Sequence, residues 1–386
     1  MAEAAISVGV LFSRSGPYAA LGREGYAGAM TAIAEINEQR GAKLVAEVRD
    51  PQGSTEQYAP LARDIFASSG ARHIVGCTTS WSRKEVIPVL EKSGTLLWYP
   101  CPYEGFECNE QVIYLGACPN QHVLPLLGFI VPRFGSNGYL VGSNYIWGWE
   151  TSRIARDIIE HSGGSVAGER YVPLGDTDIA RIIEEIRIKQ PDFVLNTLIG
   201  PSCYAFLRAY HELGKRDPNF AADVRPVVSC NFAESEAAEL GEVAAGQYVI
   251  APYFEALDTD ANRRFLAEAR RLNSQQKDHS AFFAQAYAAV HMLAAAMARA
   301  GSDAPEAVRA AAMETDFAGP FGPLRLDRAT NHAVLAPRIG RADGRGSFDM
   351  VSESASPIVP DPYLAHSSLT VGIASSEQKP HLRVIK

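Results

Sequence analysis

Short apolar runs alternate with longer amphipathic stretches along most of the chain. The first run, residues 6–12, is rich in apolar side chains, and the stretch after it places Ala29, Ile33 and Ile36 on one helical face. Strand-length runs separated by helix-length amphipathic stretches are typical of repeated βα units. The pattern therefore predicts an α/β fold built on parallel sheets.

The same alternation occurs twice, and it restarts after Gln121. The first half predicts strands over residues 6–12, 43–49, 72–77 and 95–99, and helices over 25–39, 56–67 and 82–92. The second half predicts helices over residues 122–134, 149–162, 179–188 and 203–213, and strands over 138–142, 165–172, 192–196, 226–230 and 246–251. The rest predicts a helical stretch over residues 260–300, a helix over 305–313 and short strands over 324–326, 333–339 and 347–351.

This repetition predicts two doubly wound lobes with parallel sheets. Lobe 1 comprises residues 1–121 plus 252–330, lobe 2 comprises 122–251 plus 331–355, and residues 356–386 form a C-terminal extension. The extension mixes proline, serine and polar residues, so we expect it to wrap the surface or to reach toward a partner. A length of 386 residues agrees with two lobes, because a single core stops growing near 250 to 300 residues.

Composition and charge narrow the class of protein. The chain is 47% hydrophobic and 21% charged, which is typical of a globular protein. Its net charge of −8 and its dispersed Lys and Arg residues argue against direct binding of nucleic acid. No run of about 18 apolar residues predicts a membrane span. The first residues lack the basic and long apolar regions of an export signal, which predicts a cytoplasmic protein, or a periplasmic one if a signal peptide has been removed.

Neither the cysteines nor any catalytic motif indicates a metal site or an enzyme active site. Six cysteines are too few for a disulfide scaffold, and Cys101, Cys108, Cys118 and His122 lack the closely spaced pairs of a structural zinc site. The chain contains no phosphate-binding loop, no zinc-protease helix, no nucleophile elbow and no dinucleotide fingerprint. We therefore expect no catalytic residue, no metal and no cofactor, and predict a binding protein rather than an enzyme.

Polar and aromatic residues gather at the carboxyl ends of four predicted strands. Open α/β sheets bind ligands at this position. The candidates are Thr78, Thr79 and Ser80, then the segment 99–103 with Tyr99, then the segment 143–147 with Tyr145 and Trp147, and finally the segment 197–202 together with Asn231. The first group opens a helix, so its hydroxyl and N–H groups suit an anion or an amide oxygen. Each group alone is also explained by a helix cap at Ser80 or by tyrosines at core edges, but recurrence at four strand ends favours a site.

Several longer motifs carry a family resemblance. Residues 76–84, 98–107, 119–121, 142–146, 251–254, 331–332 and 361–363 resemble the amide sensor that negatively regulates the aliphatic amidase operon. The same series is similar to the urea-binding component of urea transporters. The resemblance extends over roughly residues 6 to 365.

This resemblance implies a type I periplasmic-binding-protein fold with a hinge and a ligand cleft. It also implies that Ser80 hydrogen-bonds a short amide or urea-like ligand and that Tyr99 and Tyr145 line the pocket. Cys101, Pro102, Ile199 and Gly200 would contact the ligand as well. Thr78 and Thr79, Cys101 and the bulky Trp147 depart from the residues that the amide sensors have there.

We expect a small neutral ligand, because each unpaired charge of a ligand in a closed site would cost several kcal/mol. Amino acids stay open as ligands, since Glu104, Glu107 and Glu234 lie near strand ends. The resemblance further implies a sensor that acts through a partner protein, an RNA-binding antiterminator. The alternative is an exported solute-binding component of an ABC transporter for urea, amides or branched-chain amino acids. Self-association into a homo-oligomer is left open.

Overall fold

A computed structural model describes residues 5–39, 43–371 and 382–384. Within this part the chain divides into two units. Unit 1 comprises Met1–Tyr103, Glu107–Ala117 and Leu257–Leu335, and unit 2 comprises Glu104–Phe106, Cys118–Ala256 and Ala336–Lys386.

The strands follow the predicted alternation closely. In chain order they are β1 (Ile6–Leu11), β2 (Leu44–Arg49), β3 (His73–Gly76), β4 (Leu96–Tyr99), β5 (Val112–Tyr114), β6 (Asn137–Ser143), β7 (Ser165–Val172), β8 (Phe193–Thr197), β9 (Val227–Ser229), β10 (Tyr248–Ala251), β11 (Phe317–Gly319), β12 (Gly322–Asp327), β13 (His332–Val334), β14 (Arg338–Ala342), β15 (Phe348–Ser354) and β16 (Leu382–Val384).

The helices fill the amphipathic stretches. In chain order they are α1 (Ala19–Glu38), α2 (Tyr58–Ser69), α3 (Ser80–Ser93), α4 (Val123–Phe134), α5 (Ile146–His161), α6 (Ala180–Lys189), α7 (Pro201–Arg216), α8 (Glu234–Leu240), α9 (Asp260–Leu272), α10 (Ala281–Ala300) and α11 (Pro305–Ala312). Short 3-10 turns occupy Thr55–Gln57, Pro119–Gln121, Pro218–Phe220 and Gly241–Ala244.

Each unit contains one mainly parallel sheet with an antiparallel edge. The strand order is β11-β12-β13-β5-β4-β3-β1-β2 in unit 1 and β16-β15-β14-β10-β9-β8-β6-β7 in unit 2. Strands β1 to β5 pair in parallel, as do β6 to β10, whereas β11 and β12 in the first sheet and β14 to β16 in the second are antiparallel additions. The α/β fold predicted from the sequence is confirmed.

The strand order creates one switch point in each sheet. In unit 1 the order in which successive strands are added reverses between β1 and β3, and in unit 2 it reverses between β6 and β8, although the strands themselves are parallel. In open α/β sheets the connections after two such strands leave on opposite faces of the sheet, and ligands bind in the crevice between the loops at their carboxyl ends. The loops after β1, β3, β6 and β8 are therefore the positions at which the fold prepares ligand sites.

Helices α1 and α10 pack closely against each other in unit 1. A Cβ atom at Gly28 in α1 would lie 2.2 Å from the carbonyl oxygen of Phe283, so the two helices approach as closely as their backbones allow. By length and composition, α10 is long and apolar enough to cross a membrane, although the sequence analysis found no such stretch. However, 78% of its apolar window is buried, as in the core helix of a folded protein.

Two sequence predictions need correction, and some short elements were missed. The helical stretch predicted over residues 260–300 is two helices, because Thr259 caps α9 and Ser280 caps α10 through side-chain hydrogen bonds. Strand β13 joins the first sheet beside β5, whereas residues 331–355 were assigned to the second lobe. The strand β5 and the helix α8 were not predicted.

The C-terminal extension begins on unit 2. The side chains of Asn120 and Gln121 donate hydrogen bonds to the carbonyl oxygens of Val359 and Ile358, with N···O distances of 2.8 and 2.9 Å. Residues 372–381 and 385–386 of the predicted extension lie outside the described residues.

Candidate functional site

The first candidate group lies at the switch point of unit 1, where β3 leads into α3. Strand β3 ends at Gly76, and Cys77 turns the chain with a left-handed φ of 65°. The N–H of Cys77 donates to the carbonyl of Leu11 at the end of β1, with an N···O distance of 2.9 Å. This bond places the following residues, Thr78 and Thr79, at the carboxyl edge of the sheet.

Thr79, not Ser80, caps helix α3. The Thr79 Oγ1 atom accepts the N–H of Ser82 at 3.2 Å, and the Thr79 N–H donates to the Ser82 Oγ atom at 3.0 Å. The Thr79 hydroxyl is therefore used by the helix, in the manner of a reciprocal capping box. Ser80 is the first residue of the helix and is buried.

The Thr78 hydroxyl has no such use. Thr78 is 7% exposed, and its Oγ1 atom is a buried polar atom without a hydrogen-bond partner in the part of the chain that the structure describes. It lies under the first turns of α1, since a Cβ atom at Gly22 would be 3.5 Å from it. A buried hydroxyl without a partner costs free energy, so the Thr78 hydroxyl is a candidate for a hydrogen bond to a bound molecule.

Tyr99, Cys101 and Pro102 follow the next strand of the same sheet. Tyr99 is the last residue of β4 and is fully buried, Cys101 is buried and Pro102 is half-buried. The Cys101 thiol donates to the carbonyl oxygen of Cys77 at an S···O distance of 3.5 Å, which joins this segment to the β3–α3 loop. Burial raises the pKa of the Cys77 thiol to about 12 and also raises that of Cys101, so both are unreactive.

A buried ion pair that the sequence did not predict packs against Tyr99. The Arg83 side chain is 0% exposed, and its guanidinium carbon lies 4.9 Å from the ring centre of Tyr99 and 4.6 Å from that of Tyr103. Its Nε atom donates to Glu107 at 2.6 Å. Arg83 and Glu107 are 24 residues apart in the chain, so no helix or strand periodicity in the sequence could have predicted that they pair.

Because Glu107 is already paired, it is not available to bind the ammonium group of an amino-acid ligand. Burial alone would raise its pKa, but the charges and hydrogen bonds of Arg83 and Lys84 outweigh burial and hold the pKa at about 2. Lys84 contacts it at an N···O distance of 2.8 Å, and the Tyr114 hydroxyl donates to it at 2.8 Å. Of the other two acidic candidates, Glu104 is buried, and Glu234 accepts the N–H of Glu255 at 2.9 Å.

The second candidate group lies at the switch point of unit 2. The Ser143 hydroxyl, at the end of β6, accepts the N–H of Ile199 at 3.1 Å. The Asn231 side-chain amide donates to the carbonyl of Leu198 at 3.1 Å, and Gly200 turns the chain into α7 with a φ of 60°. These bonds draw the loops after β6, β8 and β9 to one edge of the second sheet.

Tyr145 and Trp147 lie at the start of α5, beside those loops. Both are buried, and the Trp147 ring lies 5.6 Å from the ring of His122. The Trp147 Nε1 atom has no hydrogen-bond partner among the described residues. Unit 2 therefore also offers a buried N–H donor within its candidate group.

The residues that the structure describes contain no group of three or more His, Cys, Asp or Glu side chains arranged to hold a metal ion. Cys101 belongs to unit 1 and Cys118 to unit 2, so the cysteines considered for zinc do not form one group within either unit.

The sequence profile described as periplasmic binding protein domain matches residues 6–369. The chain belongs to this family. Its members are binding proteins, so this periplasmic binding protein is not an enzyme. Among its relatives, the Leu/Ile/Val-binding protein homolog 6 of Brucella abortus is 24% identical and covers 88% of both chains. The leucine-, isoleucine-, valine-, threonine- and alanine-binding protein of Pseudomonas aeruginosa is also 24% identical, over 85% of this chain and 87% of the relative.

Solved structures share the fold. A solute-binding protein of an ABC transporter from R. palustris, in complex with benzoate, superposes with a TM-score of 0.82 at 19% identity and covers 93% of this chain and 99% of its own. A branched-chain amino acid transporter substrate-binding protein from Streptococcus pneumoniae, in complex with isoleucine, gives a TM-score of 0.75 at 19% identity, with coverage of 92% and 99%. The predicted type I periplasmic-binding-protein fold is thus confirmed.

The predicted cytoplasmic location is wrong. The family is that of periplasmic binding domains, and the solved relatives are solute-binding proteins of ABC transporters. The prediction rested on the first few residues of the printed chain. An export signal is cleaved from the mature protein and takes no part in its fold, so those residues could not decide the compartment.

Proposed function

We propose that this chain is the exported solute-binding component of an ABC transporter, and that it binds a small solute through a planar carboxyl or carboxamide group. The observation that carries the proposal is the buried Thr78 hydroxyl, which has no partner among the described residues and lies directly before the capped start of α3. The names of the relatives, which bind amino acids or benzoate, support a solute with such a group.

The start of α3 suits an oxygen-bearing head group for physical reasons. The N-terminus of a helix carries a partial positive charge and N–H groups that no turn of the same helix satisfies. Ser80 adds a buried hydroxyl in the first turn, and Thr78 adds one immediately before the cap. Both oxygens of a carboxylate, or the carbonyl oxygen of an amide, find donors in such an arrangement.

The buried aromatic and apolar residues suit the body of the solute. Tyr99 and Cys101 provide apolar surface in unit 1, and Tyr145, Trp147 and Ile199 provide it in unit 2. We propose that Trp147 also donates its indole N–H to the solute, and that Thr79, Pro102, Gly200 and Asn231 shape the two groups through backbone contacts and helix capping. A mainly apolar lining with a few placed polar groups is the usual composition of small-molecule sites.

Short amides and urea are the second class of solute within this proposal. The motifs that resemble amide and urea binders support them, because the N–H groups and hydroxyls at the start of α3 also donate to an amide oxygen. The names of the relatives support transport rather than regulation of an amidase operon. The antiterminator partner implied by the resemblance therefore has no place in the proposal.

The test is the effect of Ser80→Ala on solute binding. Loss of a buried hydrogen bond to the solute costs about 1 to 3 kcal/mol, so affinity should fall about five- to 150-fold. Calorimetry with leucine, benzoate, acetamide and urea measures it, with Ser93→Ala at the far end of the same helix as the matched control. Unchanged affinity in Ser80→Ala for every solute that binds would refute the assignment of the site.

A further inference from the structure

Residues 358–363 of the C-terminal extension, here named the C-terminal strap, are hydrogen-bonded to the turn that precedes α4. Asn120 donates to the carbonyl oxygen of Val359 at 2.8 Å and accepts the N–H of Asp361 at 2.9 Å. The Gln121 side chain donates to the first carbonyl oxygen of the strap at 2.9 Å. Both side chains are buried, with exposures of 7% and 1%, so the strap is fixed to this turn.

The strap is also held at points away from that turn. The carbonyl oxygen of Pro362 accepts the N–H of Phe106 at 2.9 Å. The Asp361 carboxylate accepts the N–H groups of Ala365 and His366 at 3.0 and 2.7 Å, which closes the chain after the strap into a compact loop. All of these residues belong to unit 2. The strap therefore has a defined conformation of its own and can determine the position of the turn that it contacts.

The turn leads directly into a residue that packs against the proposed site. His122 follows Gln121, and its Nδ1 atom accepts the N–H of Val123 at 2.6 Å, so its ring is tied to the first turn of α4. The centre of this ring lies 5.6 Å from that of Trp147. His122 and Trp147 are 1% and 3% exposed, and close-packed side chains transmit small shifts. The position of the Trp147 ring therefore depends on the turn and, through it, on the strap.

We propose that the C-terminal strap sets the affinity for the solute, because it holds the turn Pro119–Gln121 and His122 in the position that aims the Trp147 N–H at the solute. The inference rests on the proposed function, which places Trp147 in the site. Asn120, Gln121 and His122 are then positioning residues that do not contact the solute themselves. Since a hydrogen bond weakens steeply as its donor moves or tilts, a small displacement of Trp147 lowers affinity.

Two substitutions release the strap and leave His122 and Trp147 in place. Asn120→Ala removes its two hydrogen bonds to the strap and introduces no charge. Gln121→Glu removes the donor to the strap but retains the oxygen that accepts the N–H of Cys118 at 3.2 Å. An effect that both variants share is therefore due to the strap rather than to one lost side chain.

Ser162→Ala is the matched control, because it also removes a hydrogen bond to the C-terminal extension. The Ser162 hydroxyl accepts the N–H of Val371 at 2.9 Å. This contact lies beyond the strap, and Ser162 follows the last residue of α5, whereas Trp147 lies in the first turn of that helix. Ser162→Ala should therefore lower stability slightly, as Asn120→Ala does, and leave affinity unchanged.

The experiment measures Kd by calorimetry for leucine, benzoate, acetamide and urea, in the wild-type protein and in a Trp147→Phe background. In the wild-type background, Asn120→Ala should weaken the solute that binds about three- to tenfold, as partial loss of a buried hydrogen bond implies. In the Trp147→Phe background, which lacks the Nε1 donor, the same substitution should have less than about a twofold effect, because substitutions that act through one contact are not additive. Gln121→Glu should behave in the same way.

Fluorescence of the solute-free protein gives a second readout, which does not depend on the identity of the solute. The chain has four tryptophans, so the emission of Trp147 is obtained by subtracting the spectrum of the matching Trp147→Phe protein. Its maximum should shift in Asn120→Ala and stay unchanged in Ser162→Ala. A purely structural role of the strap would lower the Tm in both variants without this difference.

The outcomes separate this inference from the proposed function. Equal losses of affinity from Asn120→Ala with and without Trp147→Phe, or no loss at all, would overturn the inference and leave the proposed function standing. Full affinity in Trp147→Phe would do the same. If none of the four solutes binds the wild-type protein, the proposed function loses its solute class and the emission of Trp147 decides the inference: an unshifted maximum in Asn120→Ala overturns it, and a shift supports it. Because Asn120→Ala introduces no charge, the test stands even if Gln121→Glu fails to fold.

Discussion

Thr78 and Thr79 are adjacent threonines that the structure uses in opposite ways, so one substitution at each gives opposite results. The Thr78 hydroxyl is buried without a partner in the described part of the chain, whereas the Thr79 hydroxyl accepts the N–H of Ser82 and caps α3. Valine has nearly the shape of threonine and replaces the hydroxyl with a methyl group. Thr78→Val and Thr79→Val therefore remove the same atom from two different environments.

We expect Thr78→Val to stabilise the solute-free protein and Thr79→Val to destabilise it. Removing a buried hydroxyl that lacks a partner recovers about 1 kcal/mol of desolvation. Removing a helix cap costs about 1 kcal/mol. In a unit of this size each kcal/mol shifts the Tm by about 2 to 4 °C, so the two variants should differ by about 4 to 8 °C in the transition of unit 1.

Thr78→Val, which should stabilise the solute-free protein, should weaken solute binding. If the Thr78 hydroxyl contacts the solute, Thr78→Val should lose about 1 to 3 kcal/mol of binding free energy, or about five- to 150-fold in Kd. Scanning calorimetry of the solute-free protein and titration with leucine and benzoate measure both quantities. A lowered Tm in Thr78→Val would show that the hydroxyl has an internal partner, and unchanged affinity would show that it does not contact the solute. Either result would refute this account of the site.

The remaining predictions concern acid stability and the second candidate group. His73 and His332 are buried, and burial is the main reason that both pKa values are lowered to about 4. Because the unfolded chain protonates these rings near pH 6.5, the stability they contribute is complete above that pH and is lost as the pH falls toward 4, by about 2 kcal/mol per histidine between pH 7 and 5. Urea denaturation at both pH values should show this loss, and His332→Gln should remove about half of it; an equal loss in the variant would contradict the reasoning. Trp147→Phe keeps the aromatic body but removes the Nε1 donor, so affinity should fall about tenfold while the Tm stays within a few degrees; calorimetry showing full affinity would remove Trp147 from the site.

The sequence was sufficient for the fold and for the position of the candidate groups, because both follow from local patterns. Apolar periodicity located most strands, with β7 at its observed bounds. The ends of the predicted strands placed Ser80 and Tyr145 at the two switch points, and Tyr99 at the end of the neighbouring strand β4. Strand β5 was missed because it is only three residues long, which is too short to show a period of its own.

Roles within the site could not be predicted, because they depend on contacts between distant residues. The choice of Thr79 over Ser80 as the cap depends on the exact first residue of α3, which periodicity places only within a few positions. The pairing of Arg83 with Glu107 and the position of Tyr99 against that guanidinium join segments that are far apart in the chain. Glu107 therefore looked like an available acid in the sequence, although the structure commits it to two cations.

Calorimetric titration of the exported, solute-free protein tests the central claim most directly. The panel comprises leucine, isoleucine, benzoate, 4-hydroxybenzoate, leucinamide, benzamide, acetamide and urea. This account predicts that at least one solute with a carboxyl or carboxamide group binds, with one solute per chain, and that Ser80→Ala weakens it about five- to 150-fold. Binding of no solute in the panel, or full affinity in Ser80→Ala, would contradict it.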